Sequence, residues 1–327
     1  MLVLLEVPRD IRHVPPGSVL EITTRCHNEQ LLMNPTPEVR DAILGVLGLA
    51  LLLFPSIELH GFIFLSNHYH LLLTAHDPET LSRFMCFLNG NIARKVSWLI
   101  GYRGPFWSRR YADIPVVDDQ AQLERILYIF ENGCKEALVA SPADWPGPSS
   151  ARALAFGERI VGRWVDATGI AEAKKKNRRA KIDEEAFAHY FPVELKPLPC
   201  LRSLGESERR SVHLEMLEKV RVKYSGQKVM GPKAVLEQNR FEPPPGGSKR
   251  SPEPKCHAST KELWIIAVRA HAILVDLYRY QSVRIRSREI PSSEHPPHTH
   301  PPPMHFDPRR NTRSAAILET HGAAAHT

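Results

Sequence analysis

Two histidines separated by one tyrosine, in LSNHYHLLL, are the residues whose types and spacing could do chemistry. Side chains alternate between the faces of a strand, so His68 and His70 are predicted to share a face while Tyr69 points to the other. Two imidazoles one pleat repeat apart could hold a single divalent cation. The spacing alone is weak evidence, because His298 and His300 repeat it within a proline-rich segment.

A tyrosine on a predicted helix could supply a nucleophile beside these histidines. In LERILYIFENG, Glu131 and Asn132 follow Tyr128 at i+3 and i+4, so all three would lie on one side of the helix. Its phenol oxygen could attack the phosphorus of a phosphodiester polarised by a metal ion. Two nitrogen ligands leave Mg²⁺ or Mn²⁺ under-coordinated, so Asn132 is the predicted third ligand and Glu131 the alternative.

The elements that must position these residues follow from local patterns. Thr36 is predicted to be the N-cap of a helix whose first residue is Pro37. The order βαββαβ, followed by one more helix, predicts an α+β fold, with a ferredoxin-like antiparallel sheet and helices on one face. Strands are predicted over residues 18–25, 57–65, 68–74 and 106–117, and helices over 37–53, from 78 onward, and over 121–130.

The character of the chain changes after Trp145-Pro146 and Ser149-Ser150. Residues 155–290 are predicted to form a basic, mostly helical extension. Charged and apolar helical patterns cover 203–224 and 260–280, with a Pro/Gly linker near 243–254. Residues 291–327 are rich in proline and histidine and are predicted to be disordered, because they cannot bury enough apolar surface to fold.

The charge distribution suggests a polyanionic partner. The net charge of +7 divides into −3 for residues 1–155, with 13 basic and 16 acidic residues, and +10 for the remainder, with 30 and 20. Residues 80–112 contain no acid, but six basic and seven aromatic residues. Cations that meet phosphates and rings that stack on bases are typical of a single-strand binding surface. The alternative is a solvated basic helix face with its aromatics in the core.

Other features bear on location. The five cysteines are an odd number without CxxC spacing, which favours reduced thiols in the cytoplasm. The apolar run at 42–54 is far shorter than the roughly 20 residues that span a bilayer, so no membrane partner is expected. The N-terminus lacks the basic region of a signal peptide. A monomer and a homodimer both remain open.

Five ordered stretches resemble the HUH single-strand transposases, most closely the REP-associated tyrosine transposases. They are SVLEITTRCHN, HGFIFLSNHYHLLL, GPFWSRRYADIPV, LERILYIFENG and ADWPGPSS. The resemblance covers about residues 9–154, which it predicts to be the catalytic domain. It implies DNA transposition, with His68 and His70 binding Mg²⁺ or Mn²⁺, Asn132 as auxiliary ligand, and Tyr128 forming a 5′-phosphotyrosine on single-stranded or hairpin DNA. The predicted DNA contacts are Arg25, Arg83, Arg94, Lys95, Arg103, Trp107, Arg109 and Arg110.

The sequence also departs from this family. The family usually continues from the asparagine with Pro-Val, where this chain has Gly133 and Cys134, and losing the proline is expected to loosen the end of the helix. Tyr111 is a rival nucleophile, and His60 could add a ligand, although a hydrogen-bonded strand histidine is more common. The alternative functions are a non-catalytic DNA-binding protein, domesticated or degraded, and a histidine-based phosphoesterase of small nucleotides.

Overall fold

The computed structural model describes residues 14–176, 182–244 and 254–286. The first part of the chain forms four strands and three α-helices, besides short 3-10 turns: β1 (Ser18–Arg25), α1 (Pro37–Leu53), β2 (Glu58–Phe64), β3 (His68–Ala75), α2 (Pro78–Ile100), β4 (Ala112–Val116) and α3 (Asp119–Lys135). The later part forms α4 (Ala151–Phe156), β5 (Val161–Val165), α5 (Ala167–Lys176), β6 (Ala188–Pro192), α6 (Glu206–Lys223), α7 (Pro232–Leu236) and α8 (Lys261–Arg286).

The first four strands form one antiparallel sheet in the order β2-β3-β1-β4. The central pair, β1 and β3, is followed outward by β4 on one side and β2 on the other. This order and the βαββαβ sequence of elements confirm the predicted α+β, ferredoxin-like sheet. The mostly helical part that follows it is also confirmed.

Strand alternation divides the core into two layers. Leu20, Ile22 and Tyr69 point to one face, where α1 and α2 cover them. Val19 and Leu72 point to the other face, where residues of α3, α4 and α6 pack on them. The two helices inside the βαββαβ unit therefore share one face of the sheet. Helix α3, which carries the predicted nucleophile, lies on the opposite face.

Two element boundaries differ from the sequence prediction. Strand β4 begins at Ala112 rather than near residue 106, because the preceding segment passes the end of β1 with a single bridge between Trp107 and Cys26. Helix α3 continues to Lys135, five residues past the predicted end at 130. No proline interrupts this stretch, and Gly133 fits against Val139 and the Trp145 ring. Gly133 and Cys134 therefore lie within the helix, and the loosening expected from the missing proline stays a prediction.

The later part packs directly on the sheet unit. The β5–β6 hairpin lies against α1, and α6 lies against α3 and α4. The division at residue 154 stays a prediction, and so does the disorder of residues 291–327, which lie outside the described residues. Within the described ranges, no helix is both long and apolar enough to cross a membrane.

Two glycines set the close approach of α1 to β5, and they yield a stability prediction. A Cβ added at Gly162 would lie 2.1 Å from the backbone oxygen of Leu44, and one at Gly45 would lie 2.2 Å from that of Arg163. Backbone atoms cannot move aside as the end of a side chain can. Gly162→Ala is therefore expected to lower the free energy of unfolding by about 3 kcal/mol, in the upper part of the usual overpacking range. Chemical denaturation measures this.

The matched control is Gly90 in α2, where an added Cβ would meet nothing within 4 Å. Gly90→Ala is expected to stabilise the protein by about 0.5–1 kcal/mol, because alanine loses less backbone entropy on entering a helix. Equal effects of the two substitutions would contradict the close backbone packing of α1 on β5.

Candidate metal and nucleophile site

The histidine pair lies at the start of β3, on the face covered by α3. In the β1–β3 register, His68 is opposite Arg25 and His70 is opposite Thr23. The two rings are nearly perpendicular, with centroids 5.2 Å apart. One ion bound through metal–nitrogen bonds of about 2.1 Å could bridge rings at this separation. The predicted placement of both histidines on one face is thus realised.

Each histidine has one ring nitrogen occupied by an oxygen acceptor. The Nδ1 atom of His68 lies 2.7 Å from the amide oxygen of Asn67, and that of His70 lies 2.7 Å from Oε1 of Glu21. An ionised carboxylate only accepts, so the Nδ1 atom of His70 donates in this pair. Metal-binding histidines are usually oriented by such acceptors, which leave Nε2 for the ion. This donor set fits a divalent metal.

The electrostatic surroundings keep His68 neutral. Burial lowers the pKa of His68 most strongly, and the nearby charges of His70, Arg25 and Lys135 lower it further. The pKa of His68 therefore lies well below its ordinary value. A metal ligand must be the neutral imidazole, so no proton has to be displaced from His68 at neutral pH.

Tyr128 lies over the second histidine. Its ring and that of His70 meet edge to face, with centroids 5.3 Å apart. Two cations on the same side of α3 flank the phenol: the guanidinium carbon of Arg125 lies 4.8 Å from the ring centroid, and the ammonium nitrogen of Lys135 lies 5.2 Å from it. Lys135 is available there because α3 continues past residue 130.

Burial is the main cause that raises the pKa of Tyr128. The negative charge of Glu21 raises this pKa further, while the positive charges of Arg125 and Arg25 lower it. The phenol is therefore protonated at neutral pH. Its hydroxyl must lose a proton to act as a nucleophile, and Arg125 and Arg25 favour that loss.

The two candidates for a third ligand have different surroundings. Asn132 is buried, and its amide nitrogen donates to the backbone oxygen of Tyr128 at 2.9 Å. Glu131 is held by Lys223 of α6 at 2.7 Å. No group of three or more His, Cys, Asp or Glu side chains in the described ranges is arranged to hold a metal ion. Asn132, with water, remains the predicted complement to the histidines.

Sequence reasoning missed the acid at the centre of this site. Glu21 is buried in the middle of β1, and its Oε2 atom lies 3.5 Å from Arg125 and 2.5 Å from Nε2 of His257. Its burial raises the pKa of Glu21, but contacts with His257 and His70 outweigh burial and hold this pKa well below the usual range. The available signal was a single acid within the β-forming run SVLEITTR. No local pattern pointed to His257.

The structure separates the rival candidates from the histidine pair. Tyr111 is buried in the layer beneath α1 and α2, on the other face of the sheet. Tyr69 lies in the same layer, as predicted, and its hydroxyl donates to Asn89 at 2.6 Å. Both ring nitrogens of His60 are occupied, by Thr74 at 2.8 Å and by the backbone oxygen of Lys196 at 2.9 Å.

One of the eight predicted DNA contacts lies beside the histidines. Arg25 is opposite His68 in the register, so its side chain lies on the same face of the sheet. The others lie on α2, which packs on the opposite face, or on the loop after it. The indole of Trp107 packs against Tyr69 and Phe106. The exposed basic residues of this group are Arg83, Arg94, Arg103, Arg109 and Arg110.

Comparison with known proteins gives partial structural similarities. A REP-associated tyrosine transposase bound to a REP hairpin superposes with a TM-score of 0.35 and 20% identity, over 46% of this chain and 87% of that one. A candidate transposase from Deinococcus radiodurans superposes with a TM-score of 0.28 and 18% identity, over 37% and 95%. At these scores neither similarity assigns a function to this chain. No protein-family model and no curated protein matches it.

Lys95 holds the later part of the chain to α2. Its ammonium nitrogen donates to the backbone oxygen of Val165 at 2.9 Å and lies 3.7 Å from the Trp164 ring centroid. Burial is the main cause that lowers the pKa of Lys95 to about 8, from 10.5. These contacts occupy a side chain that was predicted to bind DNA.

The lowered pKa of Lys95 makes stability depend on pH. Below pH 8 lysine is charged in both states, and the folded state bears the full desolvation penalty. Between about pH 8 and 10.5 the folded state loses the proton first, so the free energy of unfolding of the wild type is expected to rise relative to that of Lys95→Met. Urea denaturation across this range measures the difference, with Arg83→Met as the control. A constant difference would contradict the burial of this ammonium group.

Proposed function

We propose that this protein is a metal-dependent single-stranded DNA endonuclease and strand transferase that uses Tyr128 as its nucleophile. The observation that carries the proposal is the contact between the Tyr128 ring and His70, one of two histidines whose Nδ1 atoms are already engaged. A nucleophile and two free imidazole nitrogens on one sheet face provide the parts of a phosphodiester-cleaving site.

The groups divide the reaction between them. His68 and His70 would hold Mg²⁺ or Mn²⁺, with Asn132 and water completing the ligands, and the ion would supply Lewis-acid polarisation of the scissile phosphate. The Oη atom of Tyr128 attacks phosphorus and the bond from phosphorus to the 3′ oxygen breaks, which leaves a 5′-phosphotyrosine. The phenol proton passes to solvent, and the departing oxygen takes a proton from solvent to become a free 3′-hydroxyl.

Positive charge around the tyrosine supports an anionic substrate. Arg25 lies on the sheet beside His68, while Arg125 and Lys135 flank the phenol ring. These cations would bind the phosphates next to the scissile bond and offset the charge that develops on the transferring phosphoryl group. The choice of single-stranded or hairpin DNA rests on the sequence resemblance described above.

Covalent trapping tests the nucleophile. The purified protein, incubated with labelled hairpin DNA from the genomic flanks of its own gene and with Mn²⁺ or Mg²⁺, is expected to form a slow-migrating adduct on a denaturing gel. The adduct should disappear with chelator and in Tyr128→Phe, which lacks the attacking oxygen. Tyr111→Phe is the matched control and should retain it.

Two results would overturn this assignment. An adduct that survives in Tyr128→Phe and disappears in Tyr111→Phe would transfer the role to Tyr111. Tight binding of every flank hairpin without any cleavage would instead favour the alternative function, a non-catalytic DNA-binding protein.

The position of Arg25 yields a separate prediction on binding. Arg25→Ala is expected to weaken single-stranded DNA binding about tenfold at low salt. It should also reduce the slope of log affinity against log salt concentration by about 0.7, because one phosphate contact is lost. Arg83 was also a predicted DNA contact, but it is exposed on α2, on the opposite face of the sheet, so Arg83→Ala should change neither quantity. Fluorescence anisotropy at several salt concentrations measures both. Equal losses in the two variants would place the DNA elsewhere.

A further inference from the structure

A segment far along the chain enters the candidate site from the open edge of the sheet. Strand β4 is one of the two edge strands, and residues 256–259 run beside it. The backbone nitrogen of His257 donates to the oxygen of Pro115 at 2.7 Å, and the nitrogen of Val117 donates to the oxygen of His257 at 3.0 Å. These two bonds add a short parallel bridge to an edge that would otherwise remain unpaired.

The same segment is tied to the helix that carries the tyrosine. The backbone nitrogen of Ser259 donates to Oδ2 of Asp118 at 2.8 Å. The other carboxylate oxygen of Asp118 accepts from the nitrogen of Ala121 at 3.0 Å and so caps α3. Cys256, next to His257, is buried. One residue on each side of His257 is therefore anchored.

This anchoring aims the His257 ring at the buried acid. Its Nε2 atom lies 2.5 Å from Oε2 of Glu21, an ion-pair distance without the alignment of a hydrogen bond. The other oxygen, Oε1 of Glu21, accepts a hydrogen bond from Nδ1 of His70. The side chain of Glu21 is 4% exposed and that of His257 is 14% exposed, so water competes little for these contacts. Glu21 thus joins an imidazole of β3 to an imidazole from the later part of the chain.

We propose that Glu21 and His257 are positioning residues for His70, which makes the segment 256–259 a working part of the metal site. The inference rests on the proposed function, because it assigns His70 as a metal ligand. With Oε2 in contact with His257, the carboxylate keeps Oε1 on the Nδ1 atom of His70, and the lone pair of that ring stays on Nε2. Without His257, the carboxylate is free to turn toward Arg125.

Mn²⁺ alone is the probe for the first measurement, with the full chain and without DNA. His257→Ala is expected to weaken Mn²⁺ binding about tenfold, and Glu21→Ala by up to about a hundredfold, the usual range for groups that orient metal ligands. His257→Gln, whose amide can donate to Glu21, should stay within about threefold of the wild type. His271→Ala alters an exposed histidine of α8 and should have no effect.

A double-variant cycle tests whether His257 acts through Glu21. If it does, Glu21→Ala with His257→Ala should bind Mn²⁺ no more weakly than Glu21→Ala alone. Losses that add would show that His257 acts independently and would overturn the inference. Thermal unfolding of each variant checks that the fold is retained. If the alanine variants unfold, His257→Leu, which fills the space of the ring without a donor, carries the test and should weaken Mn²⁺ binding about tenfold.

Side-chain ¹⁵N resonances of His70 in the metal-free protein separate this inference from the proposed function. The wild type should show the proton on Nδ1, and His257→Ala should shift His70 toward a mixture of tautomers, with recovery in His257→Gln. A wild type that binds no Mn²⁺ but shows this shift would overturn the proposed function and keep the positioning role. Unchanged Mn²⁺ affinity and an unchanged His70 spectrum in His257→Ala would overturn the positioning role.

Discussion

A negative charge buried in the middle of the sheet constrains the surrounding structure. Glu21 lies on β1 between apolar neighbours, where an unpaired carboxylate would cost several kcal/mol. Its partners come from three separate elements: His70 from β3, Arg125 from α3 and His257 from the later part of the chain. All three partners of this carboxylate are present only when α3 and the segment 256–259 both pack beside β1.

Those partners are also the surroundings of the candidate nucleophile. Arg125 contacts both Glu21 and the Tyr128 ring, and His70 contacts both as well. The positions of the tyrosine and of the histidine are thus coupled through one acid. A change in the docking of α3 would alter the contacts of Arg125 with Glu21 and of Tyr128 with His70 at the same time.

The two faces of the sheet carry different tasks. One face is apolar and packs under α1 and α2, with Tyr69 in its core. The other face combines apolar packing with the polar group around Glu21, and α3 closes over both. Alternation along the strands makes this division possible, because neighbouring residues such as Tyr69 and His70 serve opposite layers without disturbing one another.

Local patterns in the sequence determined the βαββαβ order, the start of α1 at Pro37 and the shared face of His68 and His70. These features depend on strand alternation and on a proline at the first helical position, although the Thr36 side chain forms no capping hydrogen bond. The tertiary structure decided the length of β4, the location of the α2 cations and the partners of Glu21. His257 lies 236 positions from Glu21. Such a pairing depends on how the later part of the chain docks on an edge strand, and residue types and spacing do not encode that locally.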